Sequence, residues 1–77
     1  MKIANELSIQ FTTATQDSKV TLTVTNYLGQ RVQMETLNVS QSSRVNQTLD
    51  LSNLNKGIYF LTIESNSSKE TIKVVKN

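Results

Sequence analysis

The chain has 77 residues, of which 36% are hydrophobic, 8 are Lys or Arg and 6 are Asp or Glu, and it contains neither Cys nor His. Without these two residue types the sequence excludes a disulfide framework, a thiolate nucleophile, a Ser–His–Asp triad and a His-ligated metal site. A net charge of +2 with acids interleaved among the basic residues does not indicate a nucleic-acid partner. No apolar run approaches the roughly 20 residues of a membrane-spanning helix, so an integral membrane protein is not expected.

The first half of the chain alternates apolar and polar residues, which is typical of strands that bury one face. The alternation runs through residues 7–11 and again through residues 20–24. A hairpin is predicted next, because Gly29 can take the positive φ of a tight turn without a Cβ clash. The returning strand is predicted to run from Arg31 to about Val39.

A chain corner is predicted in the second half. Leu51 and Leu54 are three residues apart, so a single helical turn places both on one face. Gly57 then allows a sharp turn into residues 58–63, which are apolar on both faces and should form the central, most buried strand. Tyr59 stands where the hydroxyl of a tyrosine corner bonds back to the preceding turn.

The last predicted strand, residues 69–76, reaches almost to the end of the sequence. Val74 and Val75 make its tip apolar on both sides, while Lys73 and Lys76 make it positive. Two interpretations stay open from the residues alone. The strand is either offered to a partner by edge pairing or side-chain docking, or it is simply a packed terminal strand.

Six to seven short strands, without a helix longer than one turn, predict an all-β fold: an immunoglobulin-like antiparallel β-sandwich formed by a single domain, residues 1–77. The scattered carboxylates and the small size do not favour an enzyme. Asp17, Asp50 and Asn53 lie in or beside predicted loops, where Asx side chains more often bond nearby backbone amides than hold calcium. We therefore expect no metal and no other cofactor.

Four motifs follow one another in a fixed order: V-x-L-x-V at 20–24, N-Y-L-G-Q-R-V at 26–32, L-D-L-S-x-L-x-x-G-I-Y-F-L at 49–61, and T-I-K-V-V-K at 71–76. In their order and spacing they resemble the type A C-terminal sorting domain of type IX secretion substrates, and the resemblance covers about residues 7–76. One departure is at the start, where the family often has Asn-Pro and this chain has Asn5-Glu6.

The resemblance implies a non-catalytic signal domain at the C-terminal end of a larger cargo protein in Bacteroidetes. In such systems a signal peptide takes the precursor to the periplasm, and the outer-membrane translocon recognises the folded domain. A sortase-like cell-surface peptidase commonly removes the domain, and the cargo reaches the cell surface or is secreted. The expected partners are thus the translocon, the peptidase and the N-terminal cargo domain.

Site residues are carried over from the family by position. The resemblance implies that five residues determine the shape of the fold and that four others are recognised by the export machinery. The fold residues are Gly29, Leu51, Leu54, Gly57 and Tyr59, and the recognition residues are Lys73, Val74, Val75 and Lys76.

The alternative function is a small immunoglobulin- or fibronectin-like module for adhesion or carbohydrate binding. Such a module predicts an exposed aromatic platform or a polar groove, and Tyr27 is the one plausible exposed aromatic residue. A third possibility is a structural spacer in a surface protein, which works at any position in its chain. Because Asn77 follows the last predicted strand directly, the sequence favours a terminal signal over a spacer.

Overall fold

The computed structural model describes residues 2–14, 18–39 and 44–77. Within these residues the chain forms seven strands, and this confirms the predicted all-β fold. The strands are β1 (Lys2–Ile3), β2 (Glu6–Thr12), β3 (Lys19–Asn26), β4 (Arg31–Asn38), β5 (Arg44–Asp50), β6 (Gly57–Glu64) and β7 (Lys69–Lys76).

The strands form two sheets, which pack as a β-sandwich. The larger sheet has five strands in the order β1-β7-β6-β3-β4, and the smaller pairs β2 with β5. β1 runs parallel to β7, and the other pairings of the described strands are antiparallel. The order β7-β6-β3-β4 corresponds to the GFCC′ sheet of an immunoglobulin-like domain, with β2 and β5 in place of strands B and E.

The core lies between the two sheets and is built from the alternation seen in the sequence. Since successive side chains of a strand point to opposite faces, every second residue of each strand turns inward. In β3, for example, Val20, Leu22 and Val24 are buried while the threonines between them lie on the outer face. The buried hydrophobic residues are Ile3, Leu7, Ile9, Val20, Leu22, Val24, Leu49, Leu51, Tyr59, Leu61, Ile63 and Val74.

β6 is the central strand of the larger sheet, as the sequence predicts. Its inner face is buried through Tyr59, Leu61 and Ile63. The apolar residues of its other face are only half covered, and Ile58 remains 40% exposed. The sequence predicts that β6 is buried on both faces, and the structure buries only the inner one. The smaller sheet packs against the inner face, and no described strand covers the outer face.

The hairpin between β3 and β4 has the predicted glycine turn. Asn26 organises it: its backbone N–H donates to the carbonyl of Gln30 at 2.9 Å, and its side-chain Oδ1 accepts from the N–H of Leu28 at 2.9 Å. Gly29 closes the turn with a φ of 83°. This conformation costs other residues about 1–2 kcal/mol, so the turn chemistry sets the register in which β4 returns along β3.

Across the described residues, none of the elements is a helix of the length and apolar character needed to cross a membrane. Nor do residues 2–14, 18–39 and 44–77 bring three His, Cys, Asp or Glu side chains together in a group that can hold a metal ion. Asp17, one of the loop oxygens considered for calcium, lies outside the described residues.

Candidate recognition site at the C-terminal strand

β7 lies beside the central strand β6 along its whole length. The register pairs Val74 with Tyr59 and Val75 with Ile58. Because the side chains of β7 alternate between the two faces, Val74 turns inward and is only 1% exposed. Val75 lies on the outer face of the sheet and is half-buried there.

Lys76 follows the same alternation and points into the molecule, where it is 6% exposed. Its ammonium group donates to the carbonyl oxygens of Leu54 and of Ser52, the latter at 3.4 Å. A buried ammonium ion loses water and needs such acceptors in exchange. The last residue of β7 is thereby tied to the corner that precedes β6.

The corner itself begins directly after β5. The N–H of Leu54 donates to the carbonyl of Leu51 at 3.1 Å, which closes a single tight turn. The side chain of Leu51 is 1% exposed, and Leu54 packs against the core from its edge. The spacing of three residues between the two leucines thus directs both side chains to the same side, with one turn in place of a helix.

Tyr59 completes the corner from the start of β6. Its hydroxyl donates to the carbonyl of Asn55 at 2.7 Å, which is the bond of a tyrosine corner. Gly57, two residues earlier, has a φ of 154°, a conformation that is nearly restricted to glycine. A Cβ at this position lies 4.0 Å from a ring carbon of Tyr59, an ordinary contact. The need for glycine therefore comes from the backbone conformation and not from crowding.

Asp50 marks the other end of the corner. The hydroxyl and the backbone N–H of Ser52 both bond to its carboxylate, the N–H at 3.0 Å to Oδ1. These hydrogen bonds are the main reason why the pKa of Asp50 lies below its ordinary value, and the positive charge of Lys76 adds to them while desolvation opposes them. Lys76 therefore acts on the corner through its charge as well as through its hydrogen bonds.

β1 covers the outer edge of the last residues of β7, a contact that the sequence did not predict. Lys2 pairs with Val75 and Ile3 with Lys76, and the N–H of Asn77 donates to the carbonyl of Ile3 at 2.9 Å. A little further on, the carbonyl of Asn5 accepts from the N–H of Leu51 at 2.8 Å. A strand of two residues is too short for a period to be recognised, so the pairing becomes visible only in the structure.

The structure therefore separates the four predicted recognition residues into two pairs. Val74 and Lys76 lie in the interior, beside the corner that contains Leu51, Leu54, Gly57 and Tyr59. Lys73 and Val75 lie on the outer face, where Lys73 is exposed. In the folded domain the outer pair is the one whose side chains a partner can reach, and the inner pair acts on β7 through packing.

Two further features bear on the other functions considered. A cleft of about 240 Å³ between Phe11, Val20 and Ile63 contains one ionisable side chain, Glu70, so a pair of carboxylates for acid–base catalysis is not assembled there. Tyr27 is 72% exposed at the β3–β4 turn, as expected from the sequence. The remaining described aromatic residues are buried or half-buried and do not form a platform with it.

The fold and the corner place the chain in the class of small immunoglobulin-like β-sandwich domains, with a final strand that is fastened to a tyrosine corner. A family model described as the secretion system C-terminal sorting domain matches residues 3–77, and the chain belongs to that family. No curated protein and no solved structure matches the chain. Its family thus identifies it as a type IX secretion sorting domain, a kind of domain that is in general non-catalytic and that is linked to export to the cell surface or beyond.

Proposed function

We propose that this domain is the sorting signal of a larger cargo protein and directs that cargo through the type IX translocon across the outer membrane. The cargo precedes the domain in the chain, passes through the periplasm, and ends at the cell surface or outside the cell. A sortase-like surface peptidase then removes the domain. The observation that carries the proposal is the family match over residues 3–77.

The geometry of β7 supports recognition of a folded domain and not of an unfolded tail. Val74 and Lys76 hold the strand in the core and against the corner. Recognition through side chains then rests on Lys73 and Val75 on the outer face. In this proposal the inner residues hold β7 in position, and the outer residues contact the export machinery.

The experiment is a fusion of residues 1–77 to the C-terminus of a fluorescent reporter that carries a signal peptide. It is expressed in a host with a type IX system and in a twin that lacks the translocon. We expect the reporter outside the first host and in the periplasm of the second. Retention in the periplasm of both hosts, with the domain folded, contradicts the proposed function.

The role of β7 needs variants that keep the fold. Ending the chain at Ser68 removes Val74 and Lys76 together with the outer residues, so it tests folding and recognition at once. Lys73→Ala combined with Val75→Ala alters only the outer face. We expect this variant to remain folded, with a melting temperature lowered by less than about 10 °C, and to lose export, whereas export at the original level shows that recognition lies elsewhere.

A further inference from the structure

We infer that the outer face of the five-stranded sheet is a docking surface for a protein whose matching surface is apolar at its centre and acidic at its rim. The inference rests on the proposed function, because it locates the part of the domain that the export machinery contacts. It extends the contact from the tip of β7 across four strands.

Apolar side chains on this face lie on β4, β6 and β7: Ile58, Phe60 and Val75 form one cluster, and the threonines of β3 lie between that cluster and Met34. Met34 on β4 is 52% exposed and Ile58 on β6 is 40% exposed, and both point outward. Between them the register pairs Thr25 with Phe60, and Val75 lies beside Ile58. Single exposed hydrophobic residues are common, but a contiguous patch on a sheet face marks an interaction surface.

The charges on the same face are strongly one-sided. The strand register places five basic residues there, Arg31 by means of the irregularity in the β3–β4 pairing that sets it opposite Thr25, and among the described residues only one acidic residue, Glu64. This excess of four positive charges exceeds the net charge of +2 of the whole chain. The five basic residues are Lys2, Lys19, Arg31, Lys69 and Lys73.

Three of the positive charges, those of Lys2, Arg31 and Lys73, adjoin apolar residues of this face, and Lys2 is paired in register with Val75. A guanidinium nitrogen of Arg31 lies 3.6 Å from the sulfur of Met34. Lys73 is paired in register with Phe60 on the neighbouring strand. An apolar centre with a charged rim is the anatomy of a protein–protein interface, and a rim of one sign steers a partner of the opposite sign.

Other occupants fit this face less well. Single-stranded nucleic acids bind to aromatic stacking platforms along a basic groove, and the only described aromatic residue on this face is the half-buried Phe60. A second copy of the chain brings an identical positive rim against the first, and like charges repel. A protein surface with an apolar centre and an acidic rim is complementary to both parts of this face.

The first test reverses one rim charge and uses a matched control. Arg31→Glu and Arg44→Glu change the net charge equally, and both positions are exposed, but Arg44 lies on β5 of the other sheet. In the reporter fusion we expect Arg31→Glu to reduce the exported fraction about tenfold, as expected for a rim charge that steers association. Arg44→Glu should stay within about twofold of the original. Melting temperatures of both purified variants check the fold.

The second test addresses the apolar centre. Met34→Ser removes the most exposed side chain of the patch, and Leu28→Ser removes a hydrophobic side chain that is 66% exposed at the β3–β4 turn. Both variants lose exposed apolar area, so a general effect on solubility lowers export equally. We expect Met34→Ser to reduce export several-fold more than Leu28→Ser.

The outcomes separate this inference from the proposed function. If the unaltered fusion fails to leave the host that has the translocon, the proposed function is wrong. If the unaltered fusion is exported and the outer-face variants match their controls, the docking surface is wrong. Flotation of the purified chain with phosphatidylglycerol vesicles tests whether the partner is a protein or a membrane. Absence of binding supports a protein partner. Binding to the vesicles that depends on Arg31 overturns the inference in favour of a membrane surface.

Discussion

Val74 and Val75 are adjacent in one strand and lie in opposite surroundings. Val74 packs in the core with 1% of its side chain exposed, whereas Val75 lies half-buried on the outer face next to Ile58. The two lysines of the strand differ in the same way: Lys76 is buried against the corner, and Lys73 is exposed.

This difference shows that neighbouring residues of one short motif lie on opposite faces of the sheet. The inner residues of β7 fasten the strand to the core and to the corner, and in the proposed function the outer residues contact the export machinery. Residues that lie next to each other in a sequence motif therefore cannot be assigned one common role. Mutation of each inner residue beside its outer neighbour is the direct way to test the separation.

The largest effect is expected from truncation of the inner valine. Val74→Ala removes buried methyl groups and leaves a cavity in the core, so we expect a loss of about 2–3 kcal/mol in the free energy of unfolding. Val75→Ala changes the same side chain in the same strand, and we expect about 1 kcal/mol or less because Val75 is already partly exposed. Urea denaturation of both variants measures the difference, and equal losses contradict the assignment of the two faces.

The next largest effect is expected at the inner lysine. Lys76→Met keeps a side chain of similar length but removes the ammonium group that bonds to the carbonyls of Ser52 and Leu54. We expect a loss of about 1–2 kcal/mol, since hydrogen bonds from a charged donor disappear. Lys73→Met is the matched control on the outer face and should change the stability by less than about 0.5 kcal/mol. If the control destabilises as much as Lys76→Met, the corner bonds are not the cause.

A smaller effect is expected at the tyrosine corner. Tyr59→Phe keeps the ring and removes the hydroxyl that donates to the carbonyl of Asn55. The expected loss is about 1 kcal/mol, the usual contribution of one hydrogen bond. Tyr27→Phe removes the same hydroxyl from an exposed turn and should be neutral. Thermal unfolding of the pair measures this, and a neutral Tyr59→Phe would mean that Gly57 and the leucines hold the corner without it.

Much of this fold could be predicted from the sequence because several of its strands alternate apolar and polar residues. Residues 20–24 and 69–76 were predicted as strands and lie within β3 and β7. The glycine turn at Gly29 was also predictable, since positive φ has a strong residue preference. Both features are determined by residues close together in the sequence, so a local sequence pattern is sufficient to predict them.

The candidate site was less predictable, for two physical reasons. The inward direction of Lys76 was in principle visible, because Lys76 shares its alternation with Ile72 and Val74. Lysine is nevertheless expected at the surface, and only the nearby carbonyls of the corner explain its burial. The positive outer face was not visible at all. Its basic residues are scattered from Lys2 to Lys73 in the sequence, and only the register of four strands and β1 gathers them.

The smallest expected effect is a dependence on pH that links the corner to Lys76. Because the pKa of Asp50 is lower in the folded state than its ordinary value, the ionised carboxylate stabilises the fold at neutral pH. This contribution is complete above the ordinary pKa of Asp and is lost as the pH falls through the folded pKa. The melting-temperature difference between the original chain and Asp50→Asn should therefore be present at pH 7 and vanish in strong acid.

The causes of the shift can be ranked by two further variants. The hydrogen bonds from Ser52 are the largest cause, and the charge of Lys76 is a lesser one. An NMR titration should therefore show a larger rise in the pKa of Asp50 for Ser52→Ala than for Lys76→Met. If Lys76→Met raises this pKa more, then the terminal lysine and not the turn controls the carboxylate, and the inner face of β7 acts on the corner mainly through charge.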